Sequence, residues 1–250
     1  MTHQALNFIQ TAKSGSLENF RRLLRQGIDV NCRGHHGQTA LMEASTNGHI
    51  RMVSDLLHYG ADPNLQGNGG ETALMNAVYY GHHEIMIMLI DKGANVNISC
   101  IFRNTALMYA ACCECCEILL QRGANPNLQD KDGRTVLMAA VAGGQVQIAN
   151  LLLEYGADPD IQDVYGRSTW TFCENYGATD LLHCGQVLDP IPFSTLTCTN
   201  DTCSICITLF HEDESVVNLS CQHTFHDECI RTWLNTKHSC PQCRRYTMAK

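Results

Sequence analysis

Residues 221–229 read CQHTFHDEC and set Cys221, His223, His226 and Cys229 within one short stretch. Cysteine and histidine at this density suit either a metal or a nucleophile with its base. The flanks decide between them. Cys203-Ser-Ile-Cys206 lies upstream and Cys240-Pro-Gln-Cys243 downstream, each a C-x-x-C pair. Together they complete two tetrahedral shells with no open position, the arrangement of structural zinc. A catalytic cysteine–histidine pair would need a side chain that the shells leave spare, and every candidate is used. No strand-helix pattern surrounds either C-x-x-C, which argues against a thioredoxin-like role. Two Zn2+ are therefore the expected cofactors. A segment this short cannot build its own core, so metal should carry much of its folding energy. Cys198 is read as spare.

The whole chain sets the background. It has 250 residues, a formal net charge of −8 and fifteen cysteines, with 44% hydrophobic and 17% charged residues. That composition is ordinary for a soluble globular protein. No lysine/arginine stripe appears, which excludes nucleic acid as a main partner. No apolar run reaches the length of a membrane span and no signal-type start precedes His3–Ala12, so neither membrane nor secretion is expected. Reduced thiols and metal, rather than disulfides, fit a cytoplasmic or nuclear protein.

Before the ligands comes a repeat. Gly60-Ala-Asp-Pro-Asn, Gly93-Ala-Asn-Val-Asn, Gly123-Ala-Asn-Pro-Asn and Gly156-Ala-Asp-Pro-Asp recur, after a looser Gly27-Ile-Asp-Val-Asn. Their glycines step by 33, 33, 30 and 33 residues, and TALM or TVLM starts at Thr39, Thr72, Thr105 and Thr135. Such a period signals a stack of supersecondary units. In the unit at 36–68, Thr39-Ala40 open a short helix that Gly48-His49 ends. Ile50, Val53, Leu56 and Leu57 then line one face of a second helix, and Gly60 stops it. The polar stretch to Gly70 predicts a hairpin. No unit can bury its apolar face alone; stacking does so.

These phrases resemble ankyrin repeats over residues 1–184: four full repeats, a divergent first one at 3–35 and a truncated last one at 166–184. Arg21, Arg22 and Arg25 would solvate one end of the stack. Methionine stands at the phrase's usual histidine position (Met42, Met75, Met108, Met138), a change that should spare the fold. The expected fold class is mostly α, a solenoid of helix pairs with β-hairpin loops followed by a small zinc-stabilised domain at 198–250. Residues 185–197, with Pro190 and Pro192, read as a semi-rigid linker.

The unit at 103–132 departs from the pattern. It is short, Arg103 replaces the glycine found at Gly37, Gly70 and Gly133, and it contains Cys112-Cys113-Glu114-Cys115-Cys116. Adjacent cysteines on a helix point about 100° apart, so these four cannot close one shell. No histidine sits at ligand spacing nearby in sequence. The unit reads as packing with a shortened turn. Ile101 and Phe102 occupy its hairpin tip, where neighbouring units are polar. They are either an exposed contact or, without glycine, folded inward.

The ligand order, cysteine pair, Cys-x-His, His-x-x-Cys, cysteine pair, resembles the RING finger in its two-histidine form. That resemblance implies interleaved shells, one zinc on Cys203, Cys206, His226 and Cys229 and the other on Cys221, His223, Cys240 and Cys243. It implies a groove for a ubiquitin-conjugating enzyme at Ile205, Trp233 and Pro241, although Trp233 equally suits the small core. Arg244, after the last ligand, matches the cation that restrains ubiquitin, or is a solvated arginine. The implied activity is that of a RING-type ubiquitin ligase, non-covalent because no further finger with a transfer cysteine follows, with the repeats (Ile101 and Phe102 among them) recruiting an unidentified protein substrate. The alternative is a non-catalytic scaffold whose RING dimerises with an active partner, and a RING homodimer fits either reading. Five lysines against twelve arginines would suit a ligase that seldom marks itself. A redox sensor built on the cysteine cluster would need a lowered thiol pKa.

Overall fold

A computed structural model describes residues 3–176, with 191–192, 215–218, 224–226, 228 and 230. The chain divides into two compact units: Met1–Val136 with Ile161–Gly166, and Leu137–Asp160 with Arg167–Lys250.

The first unit is built from antiparallel helix pairs. They are α1 (His3–Ser14) with α2 (Leu17–Arg25), α3 (Ala40–Thr46) with α4 (Ile50–His58), and α5 (Ala73–Tyr79) with α6 (His83–Asp91). The TALM phrases at Thr39 and Thr72 work as helix starts, whereas Thr105 makes no such cap bond. Thr39 Oγ1 accepts from Met42 N at 3.3 Å and Thr72 Oγ1 from Met75 N at 3.2 Å. That satisfies a backbone donor which the first turn leaves without a partner. Of the methionines at the usual histidine position, Met42, Met75 and Met138 are buried core residues and Met108, in the short unit, is half-buried. First helices stack on first helices, α1 on α3 and α3 on α5, and α4 packs on α6. In the divergent first repeat, Phe8 and Phe20 are buried and their rings stack at 5.0 Å.

On α4 the buried stripe is Met52, Val53 and Leu56, while Ile50 is exposed. The expected Ile50–Val53–Leu56–Leu57 face is thus rotated. Ile50 sits in the first turn, directly after the N-cap His49, where the helix enters from the surface. Arg21 does more than solvate an end: its Nε lies 2.7 Å from Asp55 Oδ2, tying α2 to α4.

The Gly-Ala-Asp/Asn-x-Asn phrase has two separate jobs. Its first polar residue closes a local turn, as when Asp62 Oδ1 accepts from Asn64 N at 2.8 Å. Its second reaches the next unit. Asn64 Nδ2 donates to Gly93 O at 2.9 Å, and its Oδ1 accepts from Asn95 N at 2.7 Å. Asn31 and Asn97 repeat the pattern toward Gly60 and Gly123. Replacing Asn64 by alanine leaves one carbonyl and one amide in want of a partner. A loss of about 1–2 kcal/mol is expected in the urea unfolding of the full chain. Asn64→Asp, which keeps the acceptor, should lose less.

Hairpins join the units. Each is closed by a backbone bond, Gly34 N to Gln38 O, Gly67 N to Glu71 O, Cys100 N to Asn104 O and Asp130 N to Arg134 O, at 2.7–2.9 Å. A second bond lies inside each turn, Gly37 N to Gly34 O, Gly70 N to Gly67 O, Arg103 N to Cys100 O and Gly133 N to Asp130 O. Successive tips are cross-linked as well: Asn68 N to His36 O, Ile101 N to Gly69 O, Lys131 N to Phe102 O and Val164 N to Asp132 O.

The short unit loses its residues from the first helix rather than from a turn alone. In place of a seven-residue helix like α3 or α5 there is a four-residue 3-10 turn, Ala106–Tyr109. An extended link then enters α7 (Cys113–Gln121). Cys115 and Cys116 fill the positions that Ile85 and Met86 hold on α6, and all four are buried.

The second unit contains α8 (Val136–Ala142, from its second residue on), α9 (Val146–Glu154) and α10 (Thr169–Tyr176). Trp170 Nε1 donates to Asp160 Oδ1 at 2.8 Å, so the truncated last repeat is pinned to its own preceding loop. The unit also holds an antiparallel sheet in the order β1 (Ile191–Pro192), β2 (Ser215–Asn218), β3 (Thr224–His226). Ile191 pairs with Val216, and Val216 with His226. Two residues of the expected linker therefore belong to a strand. Among the described residues no helix is long and apolar enough to cross a membrane.

Candidate functional site

The hairpin tip at 100–104 keeps the shape of its neighbours without their glycine. Arg103 adopts φ 62°, beside Gly37, Gly70 and Gly133 at 74–76°. Because the left-handed turn survives, the tip does not fold inward. Ile101 is 63% and Phe102 50% exposed, with Lys131 Nζ standing 5.0 Å from the Phe102 ring centre. Of the two readings of this tip, inward folding is overturned: both side chains are exposed.

Behind it lies an aromatic group that sequence reasoning did not single out. Tyr109 OH accepts from Asn104 Nδ2 at 3.2 Å and lies 3.6 Å from Cys100 Sγ, so its ring is anchored to the hairpin. The Tyr109 ring meets Tyr79 edge-on at 5.9 Å, and Tyr79 meets Tyr80 at 5.0 Å. Tyr79 and Tyr80 are more than half exposed. Tyr109, Tyr79 and Tyr80 thus form a run of ring contacts, and Tyr109 is tied through Asn104 and Cys100 to the hairpin whose tip exposes Ile101 and Phe102. Rigid aromatics of this kind supply large contact area at small entropic cost, and they dominate binding energy at protein interfaces. The available signal was the consecutive Tyr79-Tyr80 at a helix end, where a core helix would carry no pair of tyrosines.

The buried cysteines of α7 are not nucleophiles. Burial raises Cys115 to about 12, helped by its hydrogen bond with Cys112, and burial also raises Cys116 to about 12. Both stay protonated at neutral pH, the opposite of what a redox sensor needs.

The expected zinc ligands Cys203, Cys206, Cys221, His223, Cys229, Cys240 and Cys243 lie outside the described residues, as do Ile205, Trp233, Pro241 and Arg244. Of the ligands only His226 falls inside them, as the last residue of β3, paired with Val216. β3 lies within the CQHTFHDEC stretch and pairs with β2, and Phe225 and Ile230 are fully buried. The donor set fits zinc on chemistry: six thiols and two imidazoles, all soft or borderline, and two four-donor shells with none left over.

Comparison with known proteins separates the two parts of the chain. The family model for ankyrin repeats matches residues 8–100 and 97–163, and the ring finger domain model matches 201–244. A ring finger implies zinc binding. An ankyrin repeat domain from Acinetobacter baumannii superposes with a TM-score of 0.65 at 26% identity, over 70% of this chain and 93% of that one. A chain from the complex of a Bdellovibrio bacteriovorus predatory endopeptidase with its immunity protein gives 0.64 at 28% identity, with the same coverage. Three curated relatives match in the ring finger region. E3 ubiquitin-protein ligase RNF181 of Rattus norvegicus is 45% identical over 42 residues, 17% of this chain and 26% of its own length. RING-H2 finger protein ATL79 of Arabidopsis thaliana is 51% identical over 43 residues, again 17% and 26%. E3 ubiquitin-protein ligase RLIM of Homo sapiens is 44% identical over 48 residues, 19% of this chain and 8% of its own length. The chain thus spans about a quarter or less of these relatives.

Proposed function

This chain belongs to the ankyrin-repeat family, and we propose that it is a RING-type ubiquitin ligase whose repeats recruit the protein substrate. The observation that carries the reading is the likeness of residues 201–244 to a ring finger domain and to proteins named as ubiquitin ligases. We read residues 1–184 as the repeat domain, 198–250 as the finger and 185–197 as the connection. Two Zn2+ would be held by Cys203, Cys206, His226 and Cys229, and by Cys221, His223, Cys240 and Cys243. Zinc supplies cross-links there, holding loops in place without taking part in transfer.

The chain's own residues then act by binding and orientation. Ile205, Trp233 and Pro241 form the apolar contact for a conjugating enzyme charged with ubiquitin. Arg244 restrains the linked ubiquitin, because a planar guanidinium can donate toward two partners at once. Holding the thioester in a reactive pose lowers the barrier by removing orientational freedom, with no acid, base or nucleophile from the finger. No cysteine of the chain forms a bond to ubiquitin. The series from Ile101 and Phe102 to Tyr79 and Tyr80 holds the substrate, raising the effective concentration of its lysine near the thioester. A ubiquitin role and fifteen cysteines favour a reducing compartment, cytoplasm or nucleus.

The test is the loss of ubiquitin from a charged conjugating enzyme to free lysine, timed with and without the full chain. Acceleration is expected, with Ile205→Ala and Arg244→Ala each cutting it at least about tenfold at unchanged zinc content, equivalent to about 1.4 kcal/mol of transition-state stabilisation. A folded, zinc-loaded chain that accelerates none of a panel of conjugating enzymes would leave the scaffold reading in its place.

A further inference from the structure

Three ligating atoms meet in the repeats, away from the finger. A ring nitrogen of His83, Cys112 Sγ and Cys115 Sγ all lie within 4.8 Å of one another, and the His83 Nε2 to Cys112 Sγ distance is 3.7 Å. Cys115 is buried, while His83 and Cys112 are half-buried, so the cluster opens to solvent on one side. The sequence hides this group. His83 begins α6, and the two cysteines flank the start of α7 in the next unit, 29 positions after it in the case of Cys112.

The shortened repeat accounts for the meeting. The residue that caps the second helix of each unit is His49 before α4, His82 before α6 and Cys112 before α7. In the first two, Nε2 reaches back to the preceding unit's backbone, His49 to Lys13 O at 3.2 Å and His82 to Thr46 O at 3.1 Å. Cys112 has no such reach. Its link is extended (φ −134°, ψ 154°) where the histidines are not, and its sulfur turns to the top of α7 and to His83. There it also accepts from Cys115 N at 3.4 Å. The shortened first helix and the cysteine cap thus act together to bring a C-x-x-C pair against a histidine.

We propose that His83, Cys112 and Cys115 form a zinc site that joins two adjacent repeats. Two thiolates and one imidazole are the donors zinc prefers, and the 3.7 Å between His83 Nε2 and Cys112 Sγ is the length of a coordination-tetrahedron edge, with the third donor near enough to close on the ion. The ring of His83 is already oriented as a ligand. Its Nε2 faces Cys112, while Nδ1 lies 3.7 Å from Glu114 Oε2, beyond hydrogen-bond reach, so the exposed carboxylate must close on the ring to hold a metal-bound imidazole in place. Glu114 is on the far side of the ring from Nε2, so it positions rather than ligates. The fourth position, on the open side, goes to a water. Binding forms two Zn–S bonds and one Zn–N bond and releases two thiol protons to solvent, with no change of oxidation state. The buried Cys115 sulfur, which lacks a countercharge as a thiolate, gains one from the ion. The site does not depend on the finger's function, and four adjacent cysteines closing one shell on a single helix is not what it asks for.

The experiment measures zinc per chain in the full-length protein after dialysis, for the parent, Cys112→Ser and His83→Gln. Serine keeps an oxygen that can accept from Cys115 N, so α7 stays capped, and His83 is at the surface; both variants should fold, with unchanged far-ultraviolet dichroism. Each is expected to lose about one zinc per chain, and to lose it equally in a Cys240→Ser background, where the finger's ions are disturbed separately. In the parent alone, chelation should make Cys112, the half-buried thiol of the pair, more reactive to alkylation, read by peptide mass. Equal zinc content in parent and both variants would overturn the site. A Cys112–Cys115 disulfide in zinc-treated parent would also overturn it, assigning the pair to redox chemistry.

Discussion

Replacing Gly70 by valine is expected to destabilise the first unit by about 3 kcal/mol or more, which for a domain of this size lowers the melting temperature by roughly 10 °C. Two effects combine. Gly70 has φ 76°, a left-handed conformation that strains any residue with a Cβ and a β-branched one most. It also abuts the next hairpin: a Cβ there would lie 2.8 Å from both Cys100 Cα and Ile101 N. Those are backbone atoms, held by the Ile101 N to Gly69 O bond that cross-links the two tips, and they cannot swing aside. Gly60→Ala separates the terms. Gly60 has φ 84° but nothing within 4 Å of its added Cβ, so it pays for conformation alone, about 1–2 kcal/mol. If urea midpoints put the two variants at the same loss, the hairpin ladder contributes nothing and the stacking argument fails. Arg103 already shows that a left-handed L-residue is tolerated at a tip, which leaves the contact between tips as the decisive term.

The pattern of helix pairs was legible because each phrase acts locally: Thr39 and Thr72 cap their own helices, and Asp62 closes its own turn. What a phrase does across units was not. That Asn64 bridges to Gly93 and Asn95, or that His49 and His82 bond the preceding unit's backbone, depends on how the units stack, which no single repeat specifies. The same gap explains Ile50, whose helical spacing fits the buried face although the first turn leaves it at the surface. It explains the α7 cluster most clearly. Along the chain no histidine stands near Cys112, and only stacking of α6 against the short unit supplies His83. The hairpin tip was undecided for a different reason: Arg103 does not announce a positive φ, and whether Ile101 and Phe102 point outward rests on it. In the finger the order of the ligands carries the resemblance, and the pairing of the two shells is what that resemblance implies. Their roles toward a conjugating enzyme come from likeness and not from any contact described here.

Removing metal from the full chain is expected to abolish its acceleration of ubiquitin discharge while leaving the helices of the repeats in place. The two halves of that outcome follow from where the folding free energy resides. The finger, residues 203–243, has Phe225 and Ile230 as its described buried side chains and a β2–β3 pairing of three residues. Burial of two such side chains supplies only ~3–6 kcal/mol, which chain entropy in a segment this long outweighs. A structural zinc contributes about 10–16 kcal/mol, so each ion decides whether the finger is folded at all. The repeats are the reverse case. Ile85, Met86 and Leu89 on α6, and Cys115, Cys116, Leu119 and Leu120 on α7, are buried side chain against side chain with no ion required. Losing a zinc at His83 and Cys112 would loosen that junction without unmaking it, since Cys112 still caps α7. Chelation followed by gel filtration, far-ultraviolet dichroism and the discharge assay reads all of this in one sample. Helical signal should persist, discharge should fall to the rate without the chain, and re-added zinc should restore it. Discharge that survives complete loss of metal would mean that the eight ligands do not hold the conjugating-enzyme contact together, and the functional reading would fall with them.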